Sequence, residues 1–421
     1  MGNALAIDGG QPVLGRPLTP AKGISLLGEE ERAAALDVLA SRSLFRYYGP
    51  DLLRKVEAFE AEATRLFGCR YAVATSSGTA ALRSALAAVG VGCGDEVIVP
   101  AFTFVATVNA VVTMGAVPVF AEIDETCGMD PSDLAAKLTE RTAAVMPVHL
   151  ENLACDMDAI LPVVRAHGAA VIEDAAQAMG VTYRGRSVGT MGDMGAFSLQ
   201  LEKNVTAGEG GLVTSDDERL YLRAARYQDQ GGQFVTSTGS ERGSDSIEPF
   251  VGENLRMTEI AGAIAHVQLG KLPRLLGGQR ANHSQILELI GSPPGIEFRR
   301  RPDPEGDGCS SIGMFLPSRD EARRFARSLI AEGVPAGLMY RGQPVYATDS
   351  ILNKRTASGK GGPWNCSEHP CHVDYRMGMC PTTEDLASRF VVALVGAGYS
   401  SQDCEAVAEA VLKVSTAMFG A

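Results

Sequence analysis

The chain has 421 residues, 45% of them hydrophobic and 21% charged, which is an ordinary composition for a folded protein long enough to form two domains. Its net charge of −12 argues against a nucleic acid or another polyanion as a partner. Neither a membrane-spanning segment nor a signal peptide is evident in the sequence, so a cytoplasmic location without membrane attachment is expected.

Residues 1–25 hold many turn-forming residues and show little periodicity, which predicts an arm that is ordered, if at all, against a partner subunit. Two amphipathic helices are predicted next, one over 28–42 and one that follows Pro50 and runs through Phe67. The aromatic segment between them contains Tyr47 and Tyr48. For these two side chains, packing and a position at the rim of an active site are both open.

The segment 71–92 has the pattern of a strand, a turn and a helix, and Ser77, Gly78 and Thr79 fall at the turn. The N-terminus of a helix presents free N–H groups, and small residues allow an anion to approach them closely. The turn is therefore a candidate anion site. An ordinary N-cap role for Ser77 is the alternative.

Apolar strands alternate with helices between residues 94 and 150, a pattern that predicts a mainly parallel sheet with right-handed crossovers. Phe104 lies at the start of one of these helices, where a core position is its simplest interpretation. His149 ends a strand, and we expect a hydrogen-bonded buried histidine there rather than a catalytic one.

The segment 169–214 carries the strongest chemical signal of the chain. One apolar strand ends on Glu173 and Asp174, at the strand end where open α/β sheets bind ligands. A second strand ends on Ser198, and Lys203 follows shortly before a glycine cluster. An acid and a burial-perturbed lysine at neighbouring strand ends are a combination suited to pyridoxal 5′-phosphate. A solvated loop lysine is the plainer alternative.

The remainder of the chain is less informative. Residues 228–252 are rich in Gly and Ser and predict a long surface loop. From about residue 276, a smaller α+β domain is predicted. Its segment 354–385 contains Cys366, His369, Cys371, His372 and Cys380, whose spacing matches no regular zinc pattern, so we expect no metal and instead a cap over the active-site mouth. The nine cysteines, scattered and odd in number, are expected to be reduced thiols.

Several motifs together resemble those of the DegT/DnrJ/EryC1/StrS family of sugar aminotransferases, which depend on pyridoxal phosphate. These motifs are VIEDAAQ (171–177), FSLQLEKN (197–204), GEGG (208–211) and ENLRMTEIAGAIAHVQLGKL (253–272). The resemblance runs from about residue 45 to about 272 and continues weakly to the end. It implies an α/β protein of fold type I, with an arm (1–25), a large cofactor-binding domain (26–275) and a small C-terminal domain (276–421).

The resemblance also assigns site residues. Lys203 would hold the cofactor as a Schiff base and Asp174 would pair with its ring nitrogen, and these two are the expected catalytic residues. The cofactor-binding positions carried over from the family are Gly78, Thr79, Phe104, Asp174, Gln177, Ser198, Lys203 and Asn254. Of these, Asn254 would reach the site of the other subunit, which implies a homodimer with shared active sites.

The implied activity is transfer of an amino group from glutamate or glutamine to a keto group of a sugar, nucleotide sugar or cyclitol, in amino-sugar or secondary-metabolite biosynthesis. The alternatives are a sugar dehydratase of the same family, a non-catalytic regulatory protein and a nucleotide-binding oxidoreductase. Lys203 argues against the dehydratase, in whose branch histidine replaces the lysine. Glu151 and Asn152 depart from the family, which usually has an aromatic residue and a glycine there, so the substrate is left open.

Overall fold

The computed structural model describes residues 4–232, 247–366 and 373–420. Its strands in chain order are β1 (Tyr71–Thr75), β2 (Glu96–Pro100), β3 (Val117–Ala121), β4 (Thr142–Val145), β5 (Ala170–Asp174), β6 (Thr182–Tyr183), β7 (Arg186–Ser187), β8 (Met194–Ser198), β9 (Gly211–Ser215), β10 (Glu297–Phe298), β11 (Ser311–Phe315), β12 (Ala336–Leu338) and β13 (Phe390–Leu394).

The α-helices are α1 (Glu29–Ser41), α2 (Lys55–Phe67), α3 (Gly78–Val89), α4 (Val105–Thr113), α5 (Pro131–Lys137), α6 (Met157–His167), α7 (Glu218–Tyr227), α8 (Glu259–Ile290), α9 (Arg319–Ala331), α10 (Asp349–Leu352), α11 (Pro381–Arg389) and α12 (Ser401–Phe419). Side-chain N-caps begin many of them, such as Asp217 for α7 and Thr258 for α8. Glycines in the left-handed conformation end others, including Gly68 after α2 and Gly168 after α6.

A seven-stranded sheet forms the centre of the large domain, in the order β1-β9-β8-β5-β4-β2-β3. All neighbours pair in parallel except β9, which runs antiparallel to both β1 and β8. The predicted mainly parallel α/β architecture is confirmed. Because every strand but β9 points the same way, the carboxyl ends of β1, β5 and β8 meet at one edge.

The C-terminal part contains a second, antiparallel sheet in the order β10-β11-β13-β12. Helices α9 and α12 cover it, with Phe325 and Val411 among the fully buried residues. The domain boundary expected after residue 275 falls inside the continuous 32-residue helix α8. In addition, the C-terminal part contributes buried side chains to the core beside the large sheet: Val345, Tyr346, Ile351, Trp364, Tyr375 and Cys380.

The N-terminal arm packs on its own chain. The backbone N–H groups of Ala6 and Val13 donate to the two carboxylate oxygens of the buried Glu332, at 2.9 and 3.0 Å. Leu5 and Leu18 are buried in the core of the C-terminal domain. The expectation that the arm is ordered only against a partner subunit is therefore wrong. Within one chain, the Glu332 carboxylate supplies the hydrogen-bond acceptors that the backbone N–H groups of the irregular arm need.

The cysteines differ from expectation at two positions. Cys93, in the loop between α3 and β2, forms a disulfide with Cys366, so the expectation of reduced thiols is wrong for this pair. Within the described residues, six other cysteines are free and buried. Three residues of the segment that was expected to bind no metal lie outside the described residues: His369, Cys371 and His372. Within the described ranges, no cluster of three side chains that could hold a metal ion occurs.

Two further expectations concern loops. Most of the predicted surface loop, residues 233–246, lies outside the described residues. Trp364 and Tyr375 pack together, as the Trp364 Nε1–H donates to the Tyr375 hydroxyl at 3.1 Å. They lie against the large sheet, on Phe120, and line no part of the cavity described below. Among the helices of the described ranges, none combines the length and apolarity that crossing a membrane requires.

Candidate active site

A cavity of about 610 Å³ opens at the edge of the large sheet where β1, β5 and β8 end. It brings together seven of the eight site residues that the sequence pointed to, from four separate segments of the chain. The seven are Gly78, Thr79, Phe104, Asp174, Gln177, Ser198 and Lys203. Asn254 does not line this cavity. It is exposed and forms an isolated β-bridge with Asp229.

The start of α3 forms one end of the cavity. The Ser77 hydroxyl accepts from the backbone N–H of Ala80, so Ser77 is an N-cap, as the alternative interpretation held. It also lines the cavity, beside Gly78 and Thr79. A Cβ at Gly78 would lie 2.7 Å from the Cβ of Ser198, so glycine is required for this close approach. The helix end and the two serine hydroxyls together offer donors to an anion.

Asp174, the last residue of β5, is 4% exposed and faces the cavity. Its Oδ2 accepts a hydrogen bond from the Thr107 hydroxyl at 2.7 Å, and its Oδ1 accepts from the Ala176 N–H at 3.1 Å. Burial raises the pKa of the Asp174 carboxyl, while these hydrogen bonds oppose the rise. The carboxylate is thus oriented by two donors and is poised to stabilise a cationic group brought into the cavity.

Lys203 follows the end of β8 in a tight turn, in which its N–H donates to the carbonyl of Gln200 at 3.0 Å. Burial is the largest influence on its side chain and lowers the pKa of the ammonium. The positive charge of Lys22 acts in the same direction, while nearby carboxylates, first of all Asp174, oppose it. A lysine with a lowered pKa is a better nucleophile and base near neutral pH.

Two side chains face each other across the cavity. Phe104, 54% exposed, begins α4 and presents its ring to the open space, so it is not the core residue of the simplest interpretation. Tyr340 lies opposite, with its ring centroid 6.4 Å from that of Phe104. Its hydroxyl accepts a hydrogen bond from Gln177 Nε2 at 2.9 Å. Both Tyr340 and Arg341 adopt positive φ angles, so the backbone is strained here. This strained turn places the tyrosine in the cavity.

A buried layer supports these residues from behind. The Glu173 carboxylate accepts hydrogen bonds from the backbone N–H groups of Gly189, Met191 and Gly192. It also pairs with His149 Nε2 at 2.9 Å. His149 Nδ1 accepts from the backbone N–H of Cys155. His149 is therefore the hydrogen-bonded buried histidine that the sequence predicted, and it does not line the cavity.

Glu151 and Asn152, at which the sequence departs from the family pattern, have an unusual backbone conformation. Both residues adopt positive φ angles, 52° and 60°, and asparagine tolerates this conformation better than most residues other than glycine. The amide of Asn152 pairs with that of Asn204, whose Nδ2 donates to Asn152 Oδ1 at 2.6 Å. This contact, which a glycine could not make, braces the residue that follows Lys203. Glu151 itself lines the cavity.

Sequence reasoning did not single out four residues of the cavity wall for a role in the site: Lys22, Thr107, Glu151 and Tyr340. The Thr107 hydroxyl is hydrogen-bonded to that of Thr103, a contact that the sequence does not reveal. Lys22 had no signal in the sequence, because it comes from the arm. Conversely, Tyr47 and Tyr48 line no part of the cavity; Tyr47 packs under Arg46 and accepts a hydrogen bond from Gln228.

Comparison with known proteins gives a consistent result. Residues 26–362 match the model of the DegT/DnrJ/EryC1/StrS aminotransferase family. The chain is 32% identical to L-glutamine:2-deoxy-scyllo-inosose aminotransferase of Streptomyces fradiae, over 98% of both chains.

Two other matches are informative. The chain is 48% identical to the spore coat polysaccharide biosynthesis protein SpsC of Bacillus subtilis (strain 168) over 198 residues, which is 47% of this chain and only 49% of that relative. Among solved structures, 3-amino-5-hydroxybenzoic acid synthase superposes with a TM-score of 0.79 at 27% identity, covering 95% of this chain and 99% of the other.

Proposed function

The chain belongs to the DegT/DnrJ/EryC1/StrS aminotransferase family, and we propose that it transfers an amino group from an amino acid to the keto group of a sugar or cyclitol. The family's cofactor is pyridoxal 5′-phosphate. The observation that carries the proposal is the convergence of Lys203, Asp174 and the glycine-containing turn at Gly78 on one cavity.

The residues present fit this cofactor. The start of α3, with the hydroxyls of Ser77 and Ser198, forms a cradle for a phosphate that a Cβ at Gly78 would disrupt. The buried Asp174 offers a carboxylate to a protonated ring nitrogen. Phe104 presents an aromatic face on which a pyridine ring can stack.

When bound, the cofactor supplies an electron sink for the carbanion formed at the substrate. In the proposed mechanism, Asp174, oriented by the Thr107 hydroxyl and the Ala176 N–H, would keep a proton on the ring nitrogen. Lys203 would hold the cofactor, and its free amine would remove and return the proton at the substrate carbon. Burial of Lys203 serves this second role, because a lowered pKa leaves more of the amine unprotonated.

The substrate class is proposed from the relatives. The name of the Streptomyces fradiae relative specifies glutamine as donor and an inosose as acceptor, and that alignment covers nearly all of both chains. This supports glutamine as donor and a keto cyclitol as acceptor ahead of a nucleotide sugar. Glu151, which stands where the family usually has an aromatic residue, lies in the cavity wall and supports a substrate different from that of those family members.

The experiment that tests the proposal traps the covalent link. Purified protein should absorb visible light, and borohydride should fix the cofactor to the peptide that contains Lys203. Lys203→Ala should still bind the cofactor weakly but should not turn over. Incubation with glutamine and keto cyclitols, followed by mass spectrometry, should reveal an aminated product. Label on a different lysine would refute the assignment of Lys203.

We further propose a homodimer in which Asn254 completes the partner's site. Two features support it: Asn254 is exposed and does not line the cavity of its own chain, and it lies in segment 253–272, which resembles the family's dimer segment. The cytoplasm is the proposed compartment, and there the Cys93–Cys366 bond would meet cellular reductants.

A further inference from the structure

A second lysine, besides Lys203, lines the described part of the cavity. Lys22 comes from the N-terminal arm, and its side chain is only 17% exposed. Its ammonium pairs with Glu151 Oε1 at 2.9 Å, and the same oxygen accepts a hydrogen bond from Ser310 at 2.9 Å. The catalytic mechanism proposed above does not use this Lys22–Glu151 ion pair.

The arm holds Lys22 in place next to Lys203. The N–H of the adjacent Gly23 donates to the carbonyl of Lys203 at 3.0 Å. A Cβ at Gly23 would lie 2.6 Å from the carbonyl oxygen of Asn204, so the arm fits here only because position 23 is glycine. The ammonium of Lys22 is also close enough to Lys203 to lower the pKa of that amine, although burial contributes more. Lys22 is therefore fixed beside the reacting centre.

The proposed reaction sets a charge problem for this cavity. One cavity must first take an amino acid, which carries an α-carboxylate, and then a neutral polyol ketone. Its wall already contains carboxylates at Glu151, Asp174, Glu202 and Glu209. An added substrate carboxylate needs a cation there, whereas the same cation, buried without a partner, would be costly when the neutral substrate is bound. A cation with a resident counter-ion meets both requirements.

We propose that Lys22 binds the α-carboxylate of the amino donor and returns to Glu151 when the neutral keto substrate occupies the cavity. The Glu151 carboxylate stands in for the donor's carboxylate in the resting protein. The position fits an α-carboxylate, because that group lies one carbon from the amine that displaces Lys203. This inference rests on the proposed function and adds the residue that allows two unlike substrates to share one cavity.

The test separates the two half-reactions of the holoenzyme. Lys22→Met should lower kcat/KM for cofactor amination by glutamine about ten- to hundredfold, as expected for loss of one hydrogen bond to a charged group. The second half-reaction, from the aminated cofactor to a keto cyclitol, should fall much less, because Lys22 acts there only through its charge on the amine of Lys203. Lys22→Arg should restore most of the donor reaction, since it keeps the charge.

A direct binding measurement uses glutaramate, which is glutamine without its α-amino group and cannot react. Calorimetry should show that glutaramate binds Lys22→Met more weakly, with a larger Kd, than it binds the parent holoenzyme. Glu151→Gln should give a tighter Kd, because the competing carboxylate is gone. The matched control is Arg16→Met, which removes an arm cation that is 72% exposed and lies near Asp403. It should match the parent protein in both half-reactions.

Three outcomes would overturn the role of Lys22: an equal fall in both half-reactions of Lys22→Met, no fall in either, or unchanged binding of glutaramate. In each of these cases the parent protein still aminates its cofactor with glutamine, and the proposed function stands. A parent holoenzyme whose cofactor no amino acid can aminate would refute the proposed function, and the role of Lys22 with it.

Discussion

The Cys93–Cys366 bond should contribute measurably to the stability of the protein. The two cysteines are 273 residues apart in sequence, so the bond closes a loop that contains most of the chain. For a loop of this length, the chain-entropy model gives roughly 5.5 kcal/mol at 25 °C, and measured values for disulfides are typically about 2–4 kcal/mol. We therefore expect removal of the bond to lower the free energy of unfolding by about 2–4 kcal/mol.

The assay compares guanidinium unfolding of the parent protein with that of Cys93→Ser/Cys366→Ser, in which both partners are replaced so that no reactive thiol is left behind. The parent should lose stability when dithiothreitol is added, and the double variant should not respond. Thiol titration of the native protein should detect two more thiols after reduction than before it. Free cysteines such as Cys127 should react slowly, because burial raises the pKa of that thiol to about 12.

The reasoning would be refuted by a double variant that is as stable as the non-reduced parent. It would be refuted equally by an unreduced parent protein that already shows the full number of thiols when denatured.

Two further predictions concern the active site. Asp174→Asn keeps the shape of the side chain but cannot hold a proton on the ring nitrogen, so transamination should fall by roughly two to three orders of magnitude in steady-state assays; near-normal turnover would show that the acid is structural. Lys203→Ala and Asn254→Ala, each inactive alone, should regain activity when mixed and reassembled, because one site of each heterodimer is then whole. Absence of recovery despite proven subunit exchange, or a monomer in sedimentation, would count against a shared site.

The parallel sheet could be predicted from local apolar patterns, whereas seven residues of the site wall could be predicted from the resemblance of several motifs to the family. Apolar strands that end on Asp174 and Ser198 indicate where the strand ends meet. The glycine at position 78 marks a close approach that a larger residue would block. The apolar patterns lie within the strands that they predict, whereas the roles of the site residues came from the resemblance to the family.

The features that escaped prediction depend on contacts between distant segments. Lys22 reaches Glu151 across 129 positions, and nothing in the arm's composition indicates that partner. Tyr340 enters the cavity through a strained backbone that no sequence pattern marks. The pairing of Cys93 with Cys366 likewise depends on where a loop of the C-terminal part comes to lie, which the spacing of cysteines in the sequence does not reveal.

The position of the arm bears on how shortened forms of this protein should be designed. The family match begins at residue 26, so trimming the chain to that boundary would look conservative. It would remove Lys22, and with it the Gly23 amide that donates to the Lys203 carbonyl. It would also expose the apolar surface that Leu5 and Leu18 cover and leave Glu332 without two of its donors. An N-terminal truncation chosen by homology alone would therefore cut into the catalytic centre.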